Sequence, residues 1–229
     1  MVLGEIMMGG KVTTNLDYNY LMAFKNIYDL TKKADFTYAN LSTNITNLDK
    51  IEDAKTNYLV TKNILSAFNA LGLDALSIAN DHITDYPSEI IKNTESLLEE
   101  NSIYVAGKKD MPMYFEKDGK KIAIVSTNSV IIGTKENYTK NGISVYDENN
   151  IKKNIQEAKK MADFVIVDIH WGKGEASFGV TTQMEEMAKF VIESGADLVM
   201  GTHAIGIQPI STYNGKPIIY TTGYDRFRI

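Results

Sequence analysis

Short β-like apolar runs alternate with longer helix-like runs along most of this 229-residue chain. The first cycle predicts a strand near residues 2–8, a helix near residues 18–32 and a strand near residues 36–41. Strands that alternate with helices in this way form sheets whose faces are covered by the helices. The alternation therefore predicts an α/β protein. Further helices are predicted near residues 58–71, 86–100, 150–162 and 181–194, and further strands near residues 73–79, 104–106, 163–169 and 196–200.

Two hairpins interrupt this alternation. Asp118-Gly119 separates β-like runs at residues 113–116 and 121–126, and Asn214-Gly215 marks a second turn near the end of the sequence. Hairpins pair their strands antiparallel, so mixed sheets are expected. Residues 128–150 are polar and poorly periodic, which predicts a long loop. With 44% hydrophobic residues and no composition shift that marks a linker, we expect a single domain over residues 1–229.

Composition excludes several classes of function. The formal net charge is −5 and no long basic run is present, which argues against a nucleic-acid surface. Cysteine is absent, so neither disulfides nor thiolate metal ligands are available. The sequence shows no apolar run of about 18 residues and no secretory signal, so we expect contact with a membrane only through an anchor outside it.

The chain has three histidines, His82, His170 and His203, and all of them follow predicted strands. Ligands of open α/β sheets bind beyond the carboxyl ends of the strands, where Glu5 and Asp81 are also expected. Imidazole and carboxylate groups bind divalent metals and transfer protons near neutral pH. The pattern favours a metal site. An alternative for each histidine is an ordinary hydrogen-bonding role, and for Glu5 an exposed surface position.

The same segments resemble the CapA family, named for poly-γ-glutamate capsule synthesis, within the calcineurin-like metallophosphoesterases. The similar motifs occur in family order and are residues 4–7 (GEIM), 39–42 (ANLS), 76–82 (LSIANDH), 170–172 (HWG) and 208–210 (QPI). The resemblance implies an α/β/β/α sandwich with mixed sheets.

The resemblance also implies a metal centre, from which this chain departs. Asp81, His170 and His203 match ligands of one ion, with Glu5 as a fourth candidate. Ligands of a second ion are depleted, because Ser42 replaces a glutamate and Ile205, like Thr202, stands where the family tends to carry histidine. The expectation is one divalent ion, manganese, zinc or iron, or none.

Further roles follow from the resemblance. His82 is the candidate general acid, beside Asp81. The candidate residues of a substrate cleft are Asn40, Ser42, Asn80 and Trp171. The sequence leaves open whether Trp171 forms a wall of the cleft or packs in the core.

Two functions are compatible with these residues. The favoured one is a binding or accessory domain with a degenerate metal site, active in the biosynthesis or export of capsule poly-γ-glutamate. The alternative is an active metal-dependent hydrolase of phosphoester or amide-type bonds. The resemblance implies an anionic polymer or a small-molecule substrate, capsule synthesis machinery as partners, and an extracellular or cell-surface location. The candidate contacts for a polyanion are Lys108, Lys109, Lys117, Lys120, Lys121, Lys135 and Lys140.

Overall fold

The computed structural model describes residues 1–17, 19–48, 58–173 and 179–225. Its chain divides into two compact units. The first unit contains the described residues of Met1–Ser77 and His82–Val105 together with Asp225, and the second contains Ile78–Asp81 and Ala106–Tyr224. Each unit is described by itself. The single domain expected over residues 1–229 stays a prediction.

The first unit is built on a parallel sheet. Its described strands are β1 (Val2–Ile6), β2 (Tyr38–Leu41), β3 (Asn44–Thr46), β4 (Leu59–Thr61), β5 (Ala75–Ser77), β6 (Tyr104–Ala106) and β13 (Tyr224–Asp225). Five of these form one sheet in the order β13-β1-β2-β5-β6, and β3 pairs with β4 separately. β1 and β2 run parallel, as do β2 and β5. β2 and β5 are buried along their whole length, as expected of a parallel sheet covered on both faces.

Short helices connect these strands. The helical elements described in the first unit are α1 (Gly10–Asn15), a 3₁₀ turn (Tyr20–Phe24), α2 (Tyr28–Thr31), α3 (Ile64–Leu71), a second 3₁₀ turn (Ile83–Asp85) and α4 (Ser88–Glu100). α3 ends at Gly72, whose φ of 67° is the left-handed conformation of a helix C-cap. This helix end was predicted from the glycine and is confirmed.

The second unit is built on a mixed sheet. Its described strands are β7 (Met113–Lys117), β8 (Lys120–Asn128), β9 (Phe164–His170), β10 (Leu198–Thr202), β11 (Ile210–Tyr213) and β12 (Lys216–Ile219). They form one sheet in the order β11-β12-β10-β9-β8-β7. The inner strands are parallel, and the edge pairs β7–β8 and β11–β12 are antiparallel hairpins at the two predicted turns. The α/β class with mixed sheets is therefore confirmed.

The helices described in the second unit are α5 (Lys135–Lys140), α6 (Glu148–Met161) and α7 (Thr182–Glu193). α6 and α7 contribute apolar side chains such as Ile155 and Val191 to the same core as Val167 of β9 and Val199 of β10. Burying one such side chain stabilises the fold by about 1.5–3 kcal/mol. This core holds β9 and β10 side by side, which fixes the positions of the residues at their carboxyl ends. Among the described helices, none is both long and apolar enough to cross a membrane.

Three secondary-structure predictions are wrong in part. The helix predicted over residues 18–32 is replaced by the 3₁₀ turn and α2, while Tyr18 lies outside the described residues. Asn19 and Asn26 flank the 3₁₀ turn, and asparagine is a weak helix former because its side chain competes for the hydrogen bonds of the backbone. The helix predicted from residue 58 starts only at Ile64, because residues 59–61 pair with β3 as a strand. The loop predicted over residues 128–150 contains α5 and the first turn of α6.

Candidate metal centre

The second unit brings one acid and two histidines together. β9 and β10 are parallel neighbours, and Thr202 lies directly opposite His170 where both strands end. His203 follows β10 at once, and Asp81 lies on a separate segment of the same unit. The carboxyl ends of adjacent parallel strands meet at one edge of the sheet, which is why residues far apart in sequence converge here.

The distances within this group are those of a compact polar cluster. His170 Nε2 lies 3.0 Å from Asp81 Oδ1, and His203 Nδ1 lies 3.9 Å from Asp81 Oδ2. The two imidazole rings are 4.6 Å apart between centroids. His170 is fully buried and the Asp81 side chain is 4% exposed, whereas the His203 side chain is 12% exposed. The least exposed groups therefore lie inward and His203 lies nearest to solvent.

Hydrogen bonds outside the cluster hold Asp81 and His170 in place. The Tyr138 hydroxyl donates to the Asp81 carbonyl at 2.9 Å, and Tyr138 is itself fully buried. The Thr202 hydroxyl lies 3.1 Å from His170 Nδ1. The backbone N–H of Ser129 donates to the His170 carbonyl at 2.8 Å. Partners of this kind fix the orientation of metal ligands and limit how far they move.

His203 has an unusual backbone conformation. Its φ is 87°, in the left-handed region that costs a residue with a Cβ about 1–2 kcal/mol. Such conformations occur frequently at functional sites, where the surrounding structure holds them in place. The strained turn places the imidazole of His203 against Asp81.

The first unit holds the other predicted site residues. Glu5 is fully buried, which excludes the alternative of an exposed surface carboxylate. It lies opposite Asn40 on the neighbouring strand, and the Ser42 hydroxyl donates to Glu5 Oε1. Ser42 Oγ is also 3.5 Å from Asn40 Oδ1. Asn40, Ser42 and Glu5 thus form one buried polar group at the ends of β1 and β2.

His82 has partners of its own in the first unit. Its Nδ1 lies 2.9 Å from Asp85 Oδ2, and its ring centroid is 4.0 Å from that of Tyr58. The carboxylate orients the imidazole and favours a proton on Nδ1. The role of His82 as a general acid stays a prediction.

Two predicted cleft residues belong to the second unit. Asn80 is fully buried beside Asp81. Trp171 is also fully buried, and its Nε1–H donates to the Tyr220 carbonyl at 2.9 Å while its ring stacks on that of Tyr220. Of the two roles that the sequence leaves open for Trp171, this placement favours packing in the core.

Donor chemistry identifies the candidate ligands. Among the described residues of the second unit, the histidine and acidic side chains grouped so that they could hold a metal ion are Asp81, His170 and His203. This nitrogen and oxygen set suits zinc, manganese or iron(II). The sequence predicted these three ligands but not the contact between Thr202 and His170 or the one between Tyr138 and Asp81. Thr202 could have been found from its place at a strand end, whereas nothing in the sequence marks Tyr138.

Residues 1–224 match the family model described as "Bacterial capsule synthesis protein PGA_cap". The chain belongs to this family. Similar proteins are "Capsule biosynthesis protein CapA" of Bacillus anthracis, 26% identical, and "PGA biosynthesis protein CapA" of Bacillus subtilis (strain 168), 27% identical. The alignments cover 97% and 96% of this chain but 58% and 61% of those proteins. The chain therefore spans about six tenths of the length of these PGA_cap relatives.

A crystal structure described as a novel phosphatase from Mycoplasma pneumoniae is similar in fold, with a TM-score of 0.61 at 15% identity. The similarity covers 95% of this chain and 69% of that one. At this identity the comparison supports the fold alone. The metallophosphoesterase-like fold expected from the resemblance to the CapA family is confirmed.

Proposed function

We propose that this chain is an accessory or polymer-binding domain in the biosynthesis or export of capsule poly-γ-glutamate, with one divalent metal ion at a degenerate centre. Its membership of the PGA_cap family over residues 1–224 supports the capsule assignment. The names of the two Bacillus relatives refer to capsule and PGA biosynthesis. The proposed partners are the anionic polymer and the capsule synthesis machinery, and the proposed location is the cell surface.

The proposed ligands of the ion are Asp81, His170 and His203. The family resemblance adds Glu5 as a candidate fourth ligand. Asp81 and His170 suit this role because both are buried and Asp81 Oδ1 lies 3.0 Å from His170 Nε2. A bound divalent ion would supply positive charge and Lewis acidity to an oxygen atom of the polymer. The chain's own contribution is to hold the ligands in a fixed geometry.

The non-catalytic assignment rests on the presence of serine at position 42. The family resemblance implies a glutamate here, shared by two ions. This chain has a neutral hydroxyl instead, and that hydroxyl donates to Glu5. Hydrolysis by two metals requires both ions, one for the attacking oxygen and one for the leaving oxygen. A centre limited to one ion therefore favours binding over turnover.

Metal content is the first test. Elemental analysis of protein reconstituted with manganese or zinc and then desalted should give one equivalent of metal. His170→Ala should lose most of it, because it removes a central ligand. His82→Ala is the matched control and should keep one equivalent, since His82 is not one of the proposed ligands and its Nδ1 contacts Asp85. Two equivalents in the parent protein would refute the one-ion centre.

Polymer binding is the second test. The parent protein should bind immobilised poly-γ-glutamate and not neutral dextran, and the affinity should fall with added salt because the contact is electrostatic. It should not hydrolyse a generic phosphodiester with added manganese. Metal-dependent turnover that is lost in His170→Ala would establish the hydrolase instead. Equal binding to both polymers would refute the polymer assignment.

A further inference from the structure

We propose that Thr202 is a positioning residue for the metal ligand His170, and that its hydroxyl reverses the direction of its hydrogen bond when the metal binds. This inference rests on the metal centre proposed above. It goes further by assigning a role to a residue outside the candidate ligand set.

The sheet geometry creates the contact. Thr202 and His170 are register partners at the ends of β10 and β9, and both are almost completely buried. Thr202 Oγ1 lies 3.1 Å from Nδ1, on one side of the imidazole, and Asp81 Oδ1 lies 3.0 Å from Nε2 on the other. The ring is held at both nitrogens by groups from different segments. This pair of contacts therefore limits how far the ring can turn.

The proton positions follow from donor and acceptor chemistry. With Asp81 as the acceptor of its contact with His170, the proton without metal is on His170 Nε2. A metal ion binds imidazole through a nitrogen lone pair, so Nε2 must lose this proton. In a neutral ring the remaining N–H is then on Nδ1. The proton that leaves Nε2 is balanced by one at Nδ1, and the ring stays neutral.

A hydroxyl is suited to both states. It donates to Nδ1 when that nitrogen carries a lone pair, and it accepts from Nδ1 when that nitrogen carries the proton. A carboxylate in the place of Thr202 could only accept. A valine would remove the Thr202 hydroxyl as a hydrogen-bond partner of the buried Nδ1–H of the metal-bound ring, which is costly. Threonine therefore supports His170 with and without the ion.

The affinity test compares three variants by calorimetric titration of the metal-free protein with zinc. Thr202→Val keeps the shape of the side chain and should weaken zinc binding about 10–100-fold, the usual cost of losing such an outer partner. Thr202→Ser keeps the hydroxyl and should bind within about threefold of the parent, by the same reasoning. Thr222→Val is the matched control, because it removes a different hydroxyl hydrogen bond, from Thr222 to the nearby Gly201 carbonyl.

The tautomer test uses ¹⁵N-histidine NMR spectra, assigned with single-histidine variants. The proton of His170 should be on Nε2 without metal and on Nδ1 with zinc. Unchanged zinc affinity in Thr202→Val, or zinc coordination through Nδ1, would overturn the role of Thr202 and leave the metal centre intact. A parent protein that binds no zinc or manganese would overturn the metal centre itself, and this inference with it.

Discussion

Replacing Gly201 with alanine should destabilise the protein more than the addition of one methyl group suggests. A Cβ at this position would lie 2.2 Å from Trp171 Nε1 and 2.3 Å from the Tyr220 carbonyl oxygen. These two atoms are already joined by the 2.9 Å hydrogen bond of Trp171. The obstacle is thus a buried ring and a backbone carbonyl, neither of which can turn away as a flexible side chain can.

The expected loss in the free energy of unfolding has three contributions. Overpacking a core costs about 1–3 kcal/mol. Separating the Trp171 N–H from the Tyr220 carbonyl leaves buried polar groups unpaired, at about 1–3 kcal/mol. Disturbing the stacked Trp171–Tyr220 pair costs about 0.5–1.5 kcal/mol. Because these contributions overlap, we expect a loss of about 3–5 kcal/mol in the free energy of unfolding, larger than most single substitutions produce.

Urea unfolding followed by fluorescence measures this directly, since Trp171 is the chain's one tryptophan. Gly133→Ala is the control, because a Cβ there meets nothing within 4 Å and carries only the strain of a φ of 84°. It should cost about 1–2 kcal/mol. In a Trp171→Phe background, where unfolding is followed by circular dichroism because the tryptophan is gone, the Gly201→Ala penalty should shrink, since the indole nitrogen is absent. A Gly201→Ala loss no larger than that of Gly133→Ala would refute the packing argument.

Two further predictions concern buried ionisable groups. Burial alone would raise the pKa of Asp197, but hydrogen bonds from Lys159, Lys216 and the Val165 N–H outweigh it and lower the pKa. Asp197→Asn should lower the free energy of unfolding by about 1–3 kcal/mol at neutral pH. Because the pKa of Asp197 is lowered in the folded protein, acid-unfolding curves of the variant and the parent should show this difference in stability disappear as the pH falls below about 4. Burial, followed by the charges of Glu148 and Asp147, raises the pKa of Tyr146 to about 12, so the parent protein should lose stability relative to Tyr146→Phe between about pH 10 and pH 12. Among the described residues its hydroxyl has no hydrogen-bond partner, so Tyr146→Phe should leave stability within about 0.5 kcal/mol or raise it, and a larger loss would contradict this account.

Patterns that act over a few residues predicted much of the local structure. Asp118-Gly119 and Asn214-Gly215 are turn sequences, and both hairpins form with positive φ at all four residues. Gly72 ends α3 because glycine adopts the left-handed conformation without strain. The start of α6 was placed about two residues late, although Asp147 caps it by accepting from the Asn150 N–H. That cap was available in the sequence as an acidic residue before a helical pattern.

Pairing between segments that are distant in sequence explains the main errors of the predictions made from the sequence. Residues 59–61 fit a helical pattern, yet they form β4 because β3 offers them a partner. Propensity alone cannot report such a partner, since strand preference depends on packing against neighbours. Trp171 is a similar case. Its burial depends on the absence of a side chain at Gly201, thirty residues further along the sequence.

For the candidate centre, the sequence alone determined which residue types are available and that they follow strands. It provided one acid and one histidine after β5, one histidine at the end of β9 and one after β10. Only the tertiary structure decided which of them meet: Asp81 contacts His170, whereas His82, the next residue, contacts Asp85. The physical reason is that strand register and core packing set distances between side chains to within an ångström, and neither is written in the spacing of residues along the chain.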